Sequence, residues 1–129
     1  MILLDTHVVA WMNLHSRRLS RAADSAIRRA RRSDGVAISA ITLVELARLI
    51  AARRIQQSLP LEQAVQTLVE DIHVFPITLE IATLSAYFPP DFPSDPMDRI
   101  IAATARAEGI PLLTADERVQ KCPLVKTIW

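Results

Sequence analysis

Short apolar runs alternate with longer stretches in which apolar residues recur every three or four positions. The short runs predict buried strands, and the longer stretches predict amphipathic helices. The predicted strands are Met1–Leu4, Val36–Ser39, His73–Ile77, Leu112–Thr114 and Val125–Trp129. The predicted helices are Val8–Leu14, residues 21–33, Ile41–Arg54, Pro60 to about Asp71, Thr78 to about Tyr87, and Pro96–Glu108, with a helical turn at Glu117–Lys121. Strands that alternate with helices predict an α/β fold with a mostly parallel sheet covered on both faces.

Boundary residues support several of these elements. Ser20 is a suitable N-cap for the second helix, and Gly35 is a suitable stop beyond its end. Pro96 at the first position of a later helix and Gly109 just past its end follow the usual asymmetry of helix termini. Pro76 favours an edge position for the third strand, because proline cannot donate to a sheet ladder. Residues 5–7 are predicted to form a turn after the first strand.

The totals describe an ordinary globular chain. Its 129 residues predict one domain over 1–129, with half of the residues hydrophobic and 22% charged. One cysteine, Cys122, excludes an intrachain disulfide and a cysteine-based zinc cluster, and it fits a reducing compartment. No segment has the pattern of a signal peptide or a membrane span, so a cytoplasmic protein with no membrane partner is expected. The two glycines form no phosphate-binding loop.

The charge is distributed unevenly between the two halves of the chain. Residues 1–54 carry ten arginines against four acidic residues, a balance of +6, whereas residues 55–129 have a balance of −5. The helix over residues 21–33 is rich in arginine, and its charged face is either an ordinary solvated surface or a guide for an anionic polymer. The asymmetry also fits charge pairing between two copies of the chain.

Four acidic side chains lie where an α/β sheet opens a cleft. Asp5 follows the first strand, Glu45 lies on the helix after the second, Asp98 begins a helix, and Asp116 follows a late strand. In parallel sheets, ligand sites form beyond the carboxyl ends of the strands. Carboxylates brought together repel one another unless they hold protons or hard metal ions. The pattern therefore predicts an acidic cleft that holds either protons or hard metal ions.

Two of these positions have a structural alternative. Glu45 could complete a capping box with Thr42, although Ser39 is the better cap for that helix. Asp95, Pro96 and Asp98 together form a well-made helix start, in which Asp95 is the expected N-cap and a supporting residue of the site. Asp98, within the first turn, is the better candidate ligand.

Several neighbours of the acidic residues are left with two interpretations. Thr6 either caps the first helix or gives its hydroxyl to the site, and Thr114 bonds either the strand end or a water at the metal. Arg99 could pair with a carboxylate or reach a phosphate. His7 either touches the substrate or is structural, and the structural role is favoured; no histidine pair has metal-ligand spacing.

Taken together, these segments resemble the PIN-domain family, and within it the VapC-type toxins of bacterial toxin–antitoxin modules. The resemblance covers nearly the whole chain, and it rests on the order and spacing of four short motifs. They are Leu4-Asp5-Thr6-His7, the segment from Ser39 to Glu45, Asp95-Pro96-Met97-Asp98-Arg99, and Leu113-Thr114-Ala115-Asp116. One departure from the family pattern is Ser94, where relatives often carry a larger polar or basic residue.

The resemblance implies a PIN-like three-layer α/β/α sandwich and a metal-dependent endoribonuclease. It implies that Asp5, Glu45, Asp98 and Asp116 bind Mg²⁺ or Mn²⁺ and form the catalytic set, supported by residues such as Asp95 and Thr114. RNA is the implied substrate, and an antitoxin and a second copy of the chain are the implied partners. A bound ion would activate the water that hydrolyses the phosphodiester bond, so no side-chain nucleophile is required.

Two other functions are weighed against this one. A haloacid-dehalogenase-like phosphatase also has an aspartate after its first strand, but it needs a second aspartate two residues later, where His7 stands here. A binding module with a purely structural acidic cleft would not be an enzyme. RNA cleavage that depends on a metal ion separates the nuclease from both.

Overall fold

A five-stranded, all-parallel sheet forms the centre of the molecule, and the computed structural model describes residues 1–129. The strands lie in the order β3-β2-β1-β4-β5. They are β1 Ile2–Leu4, β2 Val36–Ser39, β3 His73–Phe75, β4 Leu112–Leu113 and β5 Thr127–Ile128. The predicted α/β class is confirmed. β3, which ends directly before Pro76, lies at an edge of the sheet as expected.

Seven α-helices accompany the strands. They are α1 Thr6–Leu14, α2 Arg21–Arg31, α3 Ala40–Ala51, α4 Leu61–Leu68, α5 Leu79–Leu84, α6 Pro96–Glu108 and α7 Glu117–Gln120, with a short 3₁₀ turn at Ser16–Arg18. None of them combines the length and the apolar composition that crossing a lipid bilayer requires.

Side chains of the central strand β1 point alternately to the two faces of the sheet, and an apolar layer lies on each face. Leu4 of β1 faces one cluster, together with Val8 and Val9 of α1 and Ile27 of α2. Leu3 faces the opposite cluster, which contains apolar residues of α5 and α6. Because successive side chains of a strand point to opposite faces, a strand of three residues can support helices on both sides. Helices therefore cover both faces, as the sequence predicted.

The start of the first helix differs from the prediction. A turn was expected over residues 5–7, but α1 begins at Thr6 directly after the strand. Asp5 is the N-cap: its backbone is extended, and its carboxylate accepts a hydrogen bond from the Thr6 N–H at 2.8 Å. An aspartate here ends the strand and starts the helix with no intervening loop.

Other element ends fall earlier than predicted. The helix expected to reach Arg54 ends at Ala51, and Arg53 just beyond it has a left-handed backbone with φ of 58°. The helix expected to reach Asp71 ends at Leu68, and Asp71 itself has φ of 62°. Neither position carries the glycine that usually marks such a reversal, so periodicity alone extended both helices too far.

Candidate functional site

The carboxyl edge of the sheet gathers the four acidic residues from four parts of the chain. Asp5 follows β1, Asp116 lies beyond β4 and caps α7, Glu45 is on α3, and Asp98 is in the first turn of α6. The strands β1 and β4 are adjacent and parallel, so their carboxyl ends open at the same place. The charges of Asp5, Glu45 and Asp116 all act on Asp98, as does that of Asp95.

Asp5 is held in one orientation at the bottom of this edge. It is buried, at 7% exposed, and it uses both carboxylate oxygens. One oxygen accepts from the Thr6 N–H, and the other accepts from the Thr114 hydroxyl at 2.7 Å. The Thr114 oxygen in turn accepts from the Asp116 N–H at 3.1 Å. Thr114 therefore couples the first strand of the chain to the loop that carries Asp116.

A second buried hydroxyl fixes Glu45. The Thr6 hydroxyl donates to a Glu45 carboxylate oxygen at 2.7 Å, and it lies 3.2 Å from the hydroxyl of the buried Thr42. Ser39, not Thr42, caps α3 by accepting from the Ile41 N–H. Of the two alternatives for Thr6, the contact with the site is the one the structure shows. The capping-box alternative for Glu45 is absent.

Burial and mutual repulsion act together on two of the carboxyl groups. Burial, followed by the charges of Asp5, Asp95, Glu45 and Asp116, raises the pKa of Asp98 to about 7. Burial also raises the pKa of Glu45, and the hydrogen bond from Thr6 and the charge of Arg48 oppose that rise. With a pKa of about 7, Asp98 is only partly ionised at neutral pH, and a divalent cation would displace its proton on binding.

The donor set fits a hard divalent cation, because carboxylate oxygens and hydroxyls are the ligands that Mg²⁺ and Mn²⁺ accept. In this arrangement no three acidic, histidine or cysteine side chains converge closely enough to share one ion. Asp5 and Glu45 are both oriented by hydrogen bonds, whereas the Asp98 side chain is only partly buried and has no hydrogen-bond partner. Sharing one ion would therefore require side chains of the set to move closer together.

The start of α6 is built as the sequence predicted. Asp95 is the N-cap and accepts from the Met97 N–H at 2.9 Å, with Pro96 at the first helical position. The Asp98 side chain makes no hydrogen bond or ion pair within the chain, although Arg99 is adjacent to it in sequence. Arg99 was expected either to pair with a carboxylate or to reach a phosphate. Its Nε instead donates to the Pro93 carbonyl at 2.9 Å, so the structure shows neither contact.

His7 supports the loop opposite Asp5. Its Nε2 accepts from the Ala115 N–H at 3.0 Å, and its Nδ1 lies 3.6 Å from an Asp5 oxygen. Accepting at Nε2 requires the neutral ring to carry its proton on Nδ1, on the side of Asp5. The expectation that His7 is structural agrees with these contacts.

A surface cleft of about 480 Å³ lies between α3 and the start of α6. Glu45 and Asp95 line it together with two cations, Arg48 and Arg54. The sequence pattern singled out neither arginine. The one available signal was the spacing of Arg48, which places it within one turn of Glu45 and on the same side of the helix. This cleft is a path by which an anionic chain could reach the acidic residues.

Comparison with known proteins shows what the whole chain is similar to. The family model of the PIN domain matches residues 2–123. Ribonuclease VapC22 of Mycobacterium tuberculosis is 39% identical over 130 residues, which span 99% of this chain and 98% of that protein.

Solved structures agree in architecture. The DNA-bound VapBC of Salmonella typhimurium aligns with a TM-score of 0.70 at 18% identity, covering 98% of this chain and 95% of the other. VapBC2 of Rickettsia felis, bound to a promoter DNA fragment, aligns with a TM-score of 0.69 at 14% identity over 98% and 97% of the two chains. A toxin–antitoxin complex of Klebsiella pneumoniae gives 0.66 at 23% identity over 97% and 95%.

Proposed function

The chain belongs to the PIN domain family, and on that premise we propose that it is an endoribonuclease, the toxin of a toxin–antitoxin pair, that hydrolyses RNA phosphodiester bonds with Mg²⁺ or Mn²⁺. The observation that carries the proposal is the environment of Asp98. Burial and four other carboxylates raise its pKa, and no cationic side chain is bonded to it. Within the cluster Arg118 pairs with Asp116 at 3.4 Å, but Asp98 has no such partner, which leaves its charge for a bound cation to neutralise.

Asp5, Glu45, Asp98 and Asp116 are the residues that would hold the ion. Once bound, the ion supplies charge neutralisation at the phosphate and an activated water for hydrolysis. Asp5 is the fixed member, because two hydrogen bonds orient it, and Thr6 orients Glu45. Thr114 and Asp95 are supporting residues that set the positions of Asp5 and of the α6 terminus.

The direct test is cleavage of single-stranded RNA by the purified protein. Cleavage is expected with Mg²⁺ or Mn²⁺ and is expected to stop in EDTA. The new ends should carry a 5′-phosphate, because water rather than the 2′-hydroxyl is the nucleophile. Products that end in a 2′,3′-cyclic phosphate, or cleavage undiminished by EDTA, would contradict the mechanism. Hydrolysis of small phosphate monoesters without RNA cleavage would instead favour the phosphatase alternative.

We further propose that the protein forms a homodimer and is inhibited by a small antitoxin. Support comes from the neighbours described as toxin–antitoxin complexes and from exposed apolar residues such as Val44 on α3 and Leu61 on α4. Light scattering at micromolar concentration is expected to give twice the 14.4 kDa chain mass. A strict monomer would remove the dimer, and an antitoxin that binds without reducing cleavage would remove the inhibition.

The arginines of α2 are expected to guide the RNA. Arg28 pairs with Asp24 at 2.9 Å, whereas Arg29 and Arg32 are exposed and have no acidic partner. Changing Arg28, Arg29, Arg31 and Arg32 together to Gln should weaken RNA binding and flatten its salt dependence, by about 0.7 in log–log slope for each phosphate that is no longer neutralised. Fluorescence anisotropy at several salt concentrations measures both quantities. An unchanged slope would leave this face as ordinary solvated surface.

A further inference from the structure

Both tryptophans of the chain lie together at the outer end of the acidic edge, and the proposed catalytic set does not use them. Trp11 is on α1, and Trp129 follows the last strand. Their ring centroids are 5.8 Å apart, and the His7 ring is 4.8 Å from Trp11 and 6.4 Å from Trp129. Two of the ring pairs are tilted and the pair of His7 and Trp129 meets edge-on, so no ring in this group is stacked flat on another.

This aromatic cluster of His7, Trp11 and Trp129 is joined directly to the acidic site. The Thr114 N–H donates to the Ile128 carbonyl at 3.3 Å, so Trp129 follows a residue that is bonded to Thr114. The hydroxyl of Thr114 donates to Asp5. His7 has one nitrogen near Asp5 and the other bonded to the Ala115 N–H. An RNA chain with its phosphate at Asp5 would therefore have a neighbouring nucleotide within reach of the cluster.

Both tryptophans retain groups that a ligand could use. Each is only partly buried, and neither indole N–H donates a hydrogen bond within the chain. No buried polar side-chain atom lacks a partner, so both N–H groups reach solvent. The guanidinium of Arg18 lies over the Trp11 ring, 5.4 Å from its centroid, and adds a positive charge.

Core packing explains part of this arrangement but not all of it. Trp129 packs against the apolar cluster that contains Val8 and Val9 of α1, and that contact accounts for part of its burial. Packing does not require two indole donors to remain open to solvent, and it does not require a cation at the rim. Partly exposed aromatic rings, free donors and an arginine are what single-stranded nucleic acid binds, through base stacking and phosphate contacts.

We propose that Trp11, Trp129 and Arg18 form a subsite that stacks a base of single-stranded RNA beside the scissile phosphate. The subsite deepens the proposed ribonuclease function and rests on it. Trp11 and Trp129 provide the stacking surface, and Arg18 contacts the adjoining phosphate. His7 braces the tryptophans from behind and positions them relative to Asp5.

Intrinsic fluorescence tests the subsite in the unmodified protein, because the chain has two tryptophans and both are in the cluster. A single-stranded RNA oligonucleotide is titrated into the protein in EDTA, so that no cleavage occurs. The emission is expected to be quenched, with the same saturation curve as the anisotropy of a labelled copy of that RNA. Duplex RNA of the same sequence should quench little, because its bases are already stacked on one another.

Variants then separate stacking from packing. Trp11→Leu should weaken oligonucleotide binding about 5- to 100-fold and raise KM with little change in kcat, whereas Trp11→Phe should restore most of the affinity. Arg18→Gln should reduce the salt slope. Tyr87→Leu is the matched control, because Tyr87 is an aromatic residue that is 72% exposed at the end of α5 and outside the cluster.

Failure of the subsite differs in outcome from failure of the ribonuclease proposal. RNA that binds by anisotropy and is cleaved with Mg²⁺, but leaves the tryptophan emission unchanged, overturns the subsite alone. RNA that is neither bound nor cleaved overturns the proposed function and the subsite with it. Quenching by a partner protein but not by RNA would assign the aromatic cluster to a protein interface, and it would also overturn the inference.

Discussion

Asp98→Asn is expected to reduce RNA cleavage by at least about 100-fold and, in the absence of metal, to make the protein more stable at neutral pH. Both effects come from one cause. Burial, followed by the like charges of four neighbouring carboxylates, raises the pKa of Asp98 to about 7. Asn keeps the shape, removes the charge that a cation would need, and relieves the repulsion that the metal-free protein must otherwise bear.

The stabilising effect has a defined pH window. Below about pH 4 Asp98 is protonated in both the folded and the unfolded protein, so its carboxyl group imposes no charge repulsion. As the pH rises towards 7 the unfolded chain loses this proton first, and the wild-type protein loses stability relative to Asp98→Asn. The difference should reach about 1–2 kcal/mol above pH 7, less than the full pKa change implies because water still reaches the group.

Thermal melts in EDTA at several pH values, beside cleavage assays in Mg²⁺, measure both effects. Asp95→Ala is the matched control at the start of the same helix. It removes an N-cap and should cost about 0.5–2 kcal/mol, with only a partial loss of activity. Full activity in Asp98→Asn, or melting curves that stay equal to wild type from acidic to neutral pH, would show that Asp98 is not the crowded ligand proposed here.

Asp5→Asn is expected to abolish cleavage to the same extent with the fold retained. Asn is as good an N-cap as Asp, so its side-chain oxygen can still accept from the Thr6 N–H. The side-chain NH₂ would then face the Thr114 oxygen, which must accept where it formerly donated. The structure can adjust to this change, but the fixed negative charge of the site is lost.

Asp5→Leu provides the contrast. It removes the helix cap and leaves both the Thr6 N–H and the Thr114 O–H without an acceptor, each at a cost of about 1–3 kcal/mol. Circular dichroism melts of the two variants should therefore diverge by several degrees, while both lack cleavage activity. Unfolding of Asp5→Asn in EDTA would mean that the charge of Asp5 stabilises the fold, and that its loss of activity says nothing about catalysis.

The elements themselves were predictable because their signals are local. Pro96 with Gly109, and Ser20 as a cap, identify helix ends from a few adjacent residues. The chain near left-handed Arg53 and Asp71 gave no such signal, because neither residue is the glycine that usually marks such a reversal. Periodicity therefore found the helices but placed the ends of α3, α4 and α5 about three residues too late.

The acidic residues were predictable as a group for a different reason. Parallel strands end at one edge, so residues after β1 and β4 must lie near each other. The hydroxyl contacts within the site could not be predicted. That Thr6 bonds Glu45 and Thr114 bonds Asp5 depends on side-chain orientation across elements that sequence pattern does not encode. The grouping of Trp11 with Trp129 was missed because the two rings come from opposite ends of the chain.

The position of β1 at the centre of the sheet has a consequence for synthesis. β1 is synthesised before both of its neighbours. One of them is β4, which is formed more than a hundred residues later, and Thr114 lies 109 residues from the Asp5 oxygen that it bonds. Contacts of such separation form late in folding, because the chain must close a long loop to make them. A nascent chain therefore cannot orient Asp5 until the segment that contains β4 and Thr114 has been made, so the acidic edge is assembled only after that segment has joined β1.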